Sequence, residues 1–135
     1  MNPSHKQTSE AIEVRRAELA ESVVERQYRV QPELAVRYGE AGRAKCLQDT
    51  MHHLSSIAAA IALSAPETFV DYVAWARTLL QTYNVPAGDL AMNLTCIRDV
   101  LGEELPGEAG VVAVEYVEAG LRQLPGAEGN GSNQP

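Results

Sequence analysis

Basic charge is scarce in this chain: 11 Lys and Arg face 18 Asp and Glu, for a net charge of −7 over 135 residues. No Lys or Arg cluster offsets the imbalance locally, which argues against nucleic-acid binding and against docking on an anionic membrane. Long apolar runs are missing too. The longest, Ile57 to Leu63, falls far below the ~20 residues that span a bilayer, so no transmembrane helix is predicted. The opening stretch MNPSHKQTSE has neither the basic nor the apolar region of a secretion signal, and the expected location is the cytoplasm. Thiols stay reduced there, so the only two cysteines, Cys46 and Cys96, are expected as free thiols rather than a disulfide. Glycine-rich phosphate loops are absent: GEAG at Gly39 to Gly42 lies inside a helical pattern and matches no such fingerprint. β-Branched runs with period-two alternation do not occur, which excludes a sheet protein.

What the chain does have is helix. With 45% hydrophobic residues it is long enough for one core and short for two, so a single soluble all-α domain is predicted. Prolines punctuate it, because Pro is tolerated in a first helical turn and breaks a helix interior. Pro32, Pro66, Pro86 and Pro106 each mark a new start, and five helices follow: about Thr8–Arg29, Pro32–Leu63, Pro66–Tyr83, Pro86–Leu105 and Glu108–Leu124. Ile12, Leu19 and Val23 share a face of the first. Leu47, Met51, Leu54, Ala58 and Ile61 form the apolar stripe of the second, with Gly39 and Gly42 near its start permitting a bend. Phe69, Tyr72, Val73, Ala76 and Leu80 are the packing face of the third, with Ser64 as its expected N-cap. Val112, Tyr116, Ala119 and Leu124 turn the fifth inward. Residues 1–7 and the tail PGAEGNGSNQP from Pro125 have little to bury and are expected to be disordered, leaving 8–124 as the helical domain.

Beside the core stripe of the second helix runs a different one. Cys46, Asp49, His53, Ser56 and Ala60 recur every three or four residues and so share a face that carries a thiol, a carboxylate and an imidazole. Arg43 and Lys45 just before the thiol predict a depressed thiol pKa and a nucleophilic sulfur. The competing reading takes Cys46 as a small buried hydrophobe, Asp49 as a solvated helix residue and His53 as a rim histidine. A zinc site from Cys46, Asp49, His53 and Cys96 requires the second and fourth helices to face each other closely. Adjacent His52 and His53 diverge by ~100° on a helix and do not chelate together. Hydrolytic Cys–His catalysis lacks an oxyanion hole, because the amides of a helix interior are already bonded.

The runs GRAKCLQDTMHHL and APETFVDYVAWARTLLQTYNVPAGDLAMNLTCI resemble the phycobiliproteins, globin-fold bilin carriers of the allophycocyanin and phycocyanin type, over about Glu25 to Leu124. The resemblance implies a globin-like bundle of about five main helices and a pigment carrier or light sensor rather than an enzyme. It implies that Cys46 attaches a linear tetrapyrrole, phycocyanobilin or biliverdin, through a thioether. Asp49 would hydrogen-bond the nitrogens of the two central rings, Arg43 and Lys45 would pair with propionates, and Tyr72 and Trp75 would close the pocket by stacking. Five positions depart from the family pattern. Gln48 replaces an Arg between Cys and Asp, His52 and His53 replace two aromatics, Leu90 stands at an aromatic position, and Cys96 stands where Tyr is common. The family's N-terminal pairing hairpin has no room ahead of Glu25, and a homodimer or a signalling partner is the expected association. Two alternatives stand beside this reading: a globin-like sensory domain that binds haem through His53 or His52, and a helical interaction module without ligand.

Overall fold

A computed structural model of the chain describes residues 3–125. Within them lie six helices: α1 (Pro3–Val14), α2 (Arg16–Val30), α3 (Glu33–Ala62), α4 (Pro66–Thr82), α5 (Ala87–Glu104) and α6 (Gly107–Leu121). The expected all-α class holds, and no strand occurs among the described residues. Helical structure begins at Pro3, ahead of the expected Thr8. Residues 1, 2 and 126–135, to which the expectation of disorder also applied, lie outside the described residues.

The sixth helix comes from a division of the first expected one. Arg15 leaves helical geometry (φ −103, ψ 17), and its guanidinium is held by Glu18 and Glu104 carboxylates at 2.8 Å and by the Glu104 carbonyl at 3.1 Å. A long-range anchor at Arg15 therefore accompanies a corner that local helix propensity gives no reason to expect. The bend anticipated near the start of α3 is present at Gly39, whose φ of 69 and ψ of −168 interrupt the helix, a conformation that glycine adopts without a Cβ clash. Ser64 is not the cap of α4, contrary to expectation. With φ 53 it turns the chain out of α3, the N–H of Ala65 bonds the Ala60 carbonyl at 3.0 Å, and Ala65 occupies the cap position.

α1 packs on α3 and α6, α2 on α3 and α5, and α4 on α6, with α5 and α6 antiparallel neighbours across the short turn at Pro106. The centre is sealed by Ile12, Leu19, Leu54, Ile57, Ile61, Phe69, Ile97 and Leu101. Leu47, Met51, Tyr72 and Leu80, placed on core faces by the periodicity, are only partly buried, Tyr72 and Leu80 because they border the open side of α3. Among the described residues no helix is long and apolar enough to cross a membrane.

Candidate functional site

The open side of α3 carries two adjoining clefts. The first, about 640 Å³ including its mouth, lies between α2, α3 and the start of α5. Gln27 and Tyr28 come from α2, Leu34, Tyr38, Gly42, Lys45, Cys46, Asp49 and His53 from α3, and Asp89, Leu90 and Asn93 from α5, with Leu80 and Val85 closing one end. The second, about 920 Å³ including its mouth, lies between α3 and α4 and is lined by His52, Ser55, Ser56, Tyr72, Trp75, Ala76, Leu79 and Tyr83. Lys45, Asp49, His53 and Leu80 line both, so one ridge of α3 separates two halves of an elongated surface. Helical spacing places this ridge: 45, 49 and 53 are four apart and stack on one face.

Charge on the ridge is paired. Lys45 Nζ donates to Asp49 Oδ1 at 2.5 Å, and the Arg43 guanidinium lies 4.8 Å over the Tyr28 ring. The expected depression of the Cys46 pKa is therefore not realised. Burial pushes the thiol up, the carboxylates of Asp49 and Asp89 push the same way, and Thr50 and Arg43 oppose them without winning. The nearest basic side chain in sequence spends its charge on Asp49, and desolvation of the charged form dominates.

His53 and His52 part as the helix geometry predicts: His52 is exposed and His53 is buried, only 4% accessible. His53 is thus a core-facing histidine, not a rim one. Its Nδ1 lies 2.7 Å from the Tyr72 hydroxyl, and burial pushes its pKa down to about 4. Burial likewise pushes Tyr72 up to about 12. Tyr72 stacks on Phe69 with ring centroids 5.9 Å apart and leans on Trp75 at 5.7 Å. One face of this aromatic pair is thereby committed to the core, and Trp75, 58% exposed, forms the outer wall.

Around Cys46 three uncharged polar residues are buried together. Asn93 Nδ2 donates to Gln27 Oε1 at 2.8 Å and to Thr50 Oγ1 at 3.0 Å, and Thr50 donates to the Cys46 carbonyl at 2.7 Å. The Cys46 thiol is 3.8 Å from Gln27 Oε1. Asp89 forms a second node, accepting from Arg37 at 2.9 Å, Tyr38 at 3.0 Å and Gln31 at 3.4 Å.

Of the residues singled out by sequence, Cys46, Asp49, Lys45 and His53 meet in the first cleft, and Asp49, Lys45, His52, His53, Tyr72 and Trp75 in the second. Arg43 lines neither; it lies over the Tyr28 ring and acts on the Cys46 thiol by its charge. Cys96 is buried on α5 beside Asp99 and Arg26, outside both clefts, with its thiol pushed up to about 11. The four residues weighed for zinc are therefore not assembled, and among the described residues no three His, Cys, Asp or Glu are placed to hold a metal ion. Sequence reasoning missed Gln27, Tyr28, Tyr38, Asp89 and Asn93. For two of them a signal existed: Gln27 falls four residues after Val23 and Asn93 beside Leu94, each a polar residue inside an apolar stripe. Residues 5–124 match the model of the family described as Phycobilisome protein. No curated protein matches the chain.

Proposed function

The chain belongs to the phycobilisome protein family, and from that premise we propose that it holds a linear tetrapyrrole covalently at Cys46, as a pigment carrier or light sensor. Proteins of this family are bilin-binding pigment proteins rather than enzymes. The observation that carries the reading is the position of Cys46 and Asp49. The thiol faces the first cleft, and the carboxylate, three residues on, stands on the ridge common to both. Three residues of helix advance ~4.5 Å, so a ligand tethered at Cys46 and extended over the ridge meets Asp49 near its middle.

The residues present suit such a group. When bound, a bilin supplies a long conjugated system that absorbs visible light and an exocyclic carbon–carbon double bond open to thiol addition. Cys46 supplies the S–H: sulfur bonds one carbon of that double bond, the proton goes to its neighbour, and no oxidant or reductant is consumed. Asp49 accepts N–H groups of the inner rings, and its negative charge favours their protonated, cationic form. Lys45, 63% exposed at its side chain, is free to leave Asp49 for a propionate, with Arg43 as a second cation. Trp75 and Tyr72 offer a π wall that excludes water on the α4 side. His53 stays neutral at neutral pH, so its position against Tyr72 brings no competing positive charge beside the cationic rings.

The test is production of the chain together with an enzyme system that makes phycocyanobilin or biliverdin, followed by a visible spectrum and zinc-enhanced fluorescence after denaturing electrophoresis. The expected result is a red-absorbing, covalently coloured band that Cys46→Ala abolishes. Asp49→Asn is expected to keep the band, shift absorption to shorter wavelength and weaken fluorescence. A protein colourless with both bilins refutes the reading, and a Soret band lost in His53→Ala moves the assignment to haem.

A further inference from the structure

Three polar side chains from three helices meet around Cys46 in positions where Leu or Val would pack, and one of their atoms has no partner. Gln27 is 2% exposed, Asn93 5% and Thr50 fully buried. The orientation of both amides follows from bond chemistry. Gln27 Nε2 donates to the Asp89 carbonyl at 3.2 Å and to Gln31 Oε1 at 3.0 Å, and a carbonyl only accepts, so Gln27 Oε1 must face Asn93. The Asn93 group 2.8 Å away from that oxygen is then the NH2, and its second hydrogen goes to Thr50. Asn93 Oδ1 is left as a buried acceptor with no donor in hydrogen-bond reach among the described residues. Such an acceptor loses water without replacement, which disfavours the folded state, so its retention inside an apolar stripe needs a reason.

We propose that Asn93 Oδ1 is the acceptor for the ring N–H of the ligand at the ring tethered to Cys46, a neutral lactam-type N–H. The inference rests on the bilin reading and names the residue that recognises the tethered ring. Proximity supports it: Asn93 Nδ2 lies 3.9 Å from Cys46 Sγ, so a ring bonded to that sulfur lies against the same amide, and both residues line the first cleft. Charge supports it as well, because an uncharged amide oxygen matches a neutral N–H, whereas the carboxylate of Asp49 matches cationic inner rings. Addition also opens the way. The sulfur's proton passes to the ligand carbon, so the Cys46 contact to Gln27 Oε1 loses its donor and no longer competes for the amide pair.

The experiment uses the full chain loaded with ¹⁵N-labelled phycocyanobilin and carrying ¹³C-labelled asparagine. A scalar coupling across the hydrogen bond, from the tethered ring's nitrogen to Asn93 Cγ, is expected in the NMR spectrum. In Asn93→Leu the adduct at Cys46 is expected to form still, with that N–H exchanging with solvent about tenfold faster. A coloured Cys46 adduct without the coupling, or a water cross-peak in its place, overturns the proposal and leaves the bilin reading standing. Failure to form any coloured adduct overturns both. If Asn93→Leu does not fold, the coupling in the unaltered chain decides alone.

Discussion

Acid should destabilise this protein through His53, and the size of the effect can be worked out. Burial holds the His53 imidazole at about 4, against an ordinary histidine value of ~6.5 in an unfolded chain. A group whose folded pKa lies below its unfolded pKa leaves the unfolded state binding more protons in between. Stability is therefore full above pH ~6.5 and is lost as pH falls toward about 4. Each pH unit in that window is worth ~1.4 kcal/mol, so His53 alone removes ~2 kcal/mol by pH 5 and ~3 kcal/mol once both states are protonated. Asp49 favours the charged imidazole while His52 and Lys45 oppose it, and none of the three offsets the burial. Urea unfolding at pH 7, 6, 5 and 4.5 measures the effect, with His53→Gln as the comparison that subtracts the carboxylates common to both chains. The variant should lose most of the slope between pH 6.5 and 4.5. Equal slopes in the two proteins, or an NMR titration of His53 centred at pH 6 or above, would refute the reasoning.

Other perturbations test packing and access. In Gly120→Ala the new Cβ would lie 2.5 Å from Phe69 Cε2 and 2.8 Å from Val73 Cγ2, so chemical denaturation should report a loss of ~1–3 kcal/mol from overpacking between α4 and α6. Asp89→Ala removes the acceptor for Arg37, Tyr38 and Gln31, which ties the start of α3 to α5. A loss of ~1–2 kcal/mol is expected, along with faster reaction of Cys46 with a small thiol reagent, and an unchanged labelling rate would show that the start of α3 does not guard the thiol. Because burial raises the Cys46 pKa, its labelling rate in the unliganded chain should climb ~tenfold per pH unit and still be rising at pH ~9. A plateau below pH 8 would mean that the cations govern it after all.

Helix class and most helix positions were legible in the sequence, because a 3.6-residue apolar period and the helix-breaking action of proline are local properties. Pro66, Pro86 and Pro106 mark the starts of three helices within a residue or so of where they fall, and Gly39 marks the bend in α3. The corner at Arg15 was not legible. Its anchor is Glu104, 89 residues away, and nothing near Arg15 in the chain breaks a helix. The thiol at Cys46 shows the same division. Its neighbours Arg43 and Lys45 read as activating in sequence, yet where their charges go is settled by Tyr28 and Asp49.

The sequence by itself determined that Cys46, Asp49 and His53 share a face of one helix, and that His52 points elsewhere, since a helix imposes those directions on every residue. Only the tertiary structure decided what surrounds that face. Gln27, Cys46 and Asn93 lie on three helices, with the amides of Gln27 and Asn93 66 positions apart in the chain, and Asp89 draws Gln31, Arg37 and Tyr38 together from two directions. Meetings of that kind depend on how the helices cross, and so do the burial that raises one thiol, neutralises one imidazole and strands one amide oxygen. Periodicity along a single helix carries no record of such crossings.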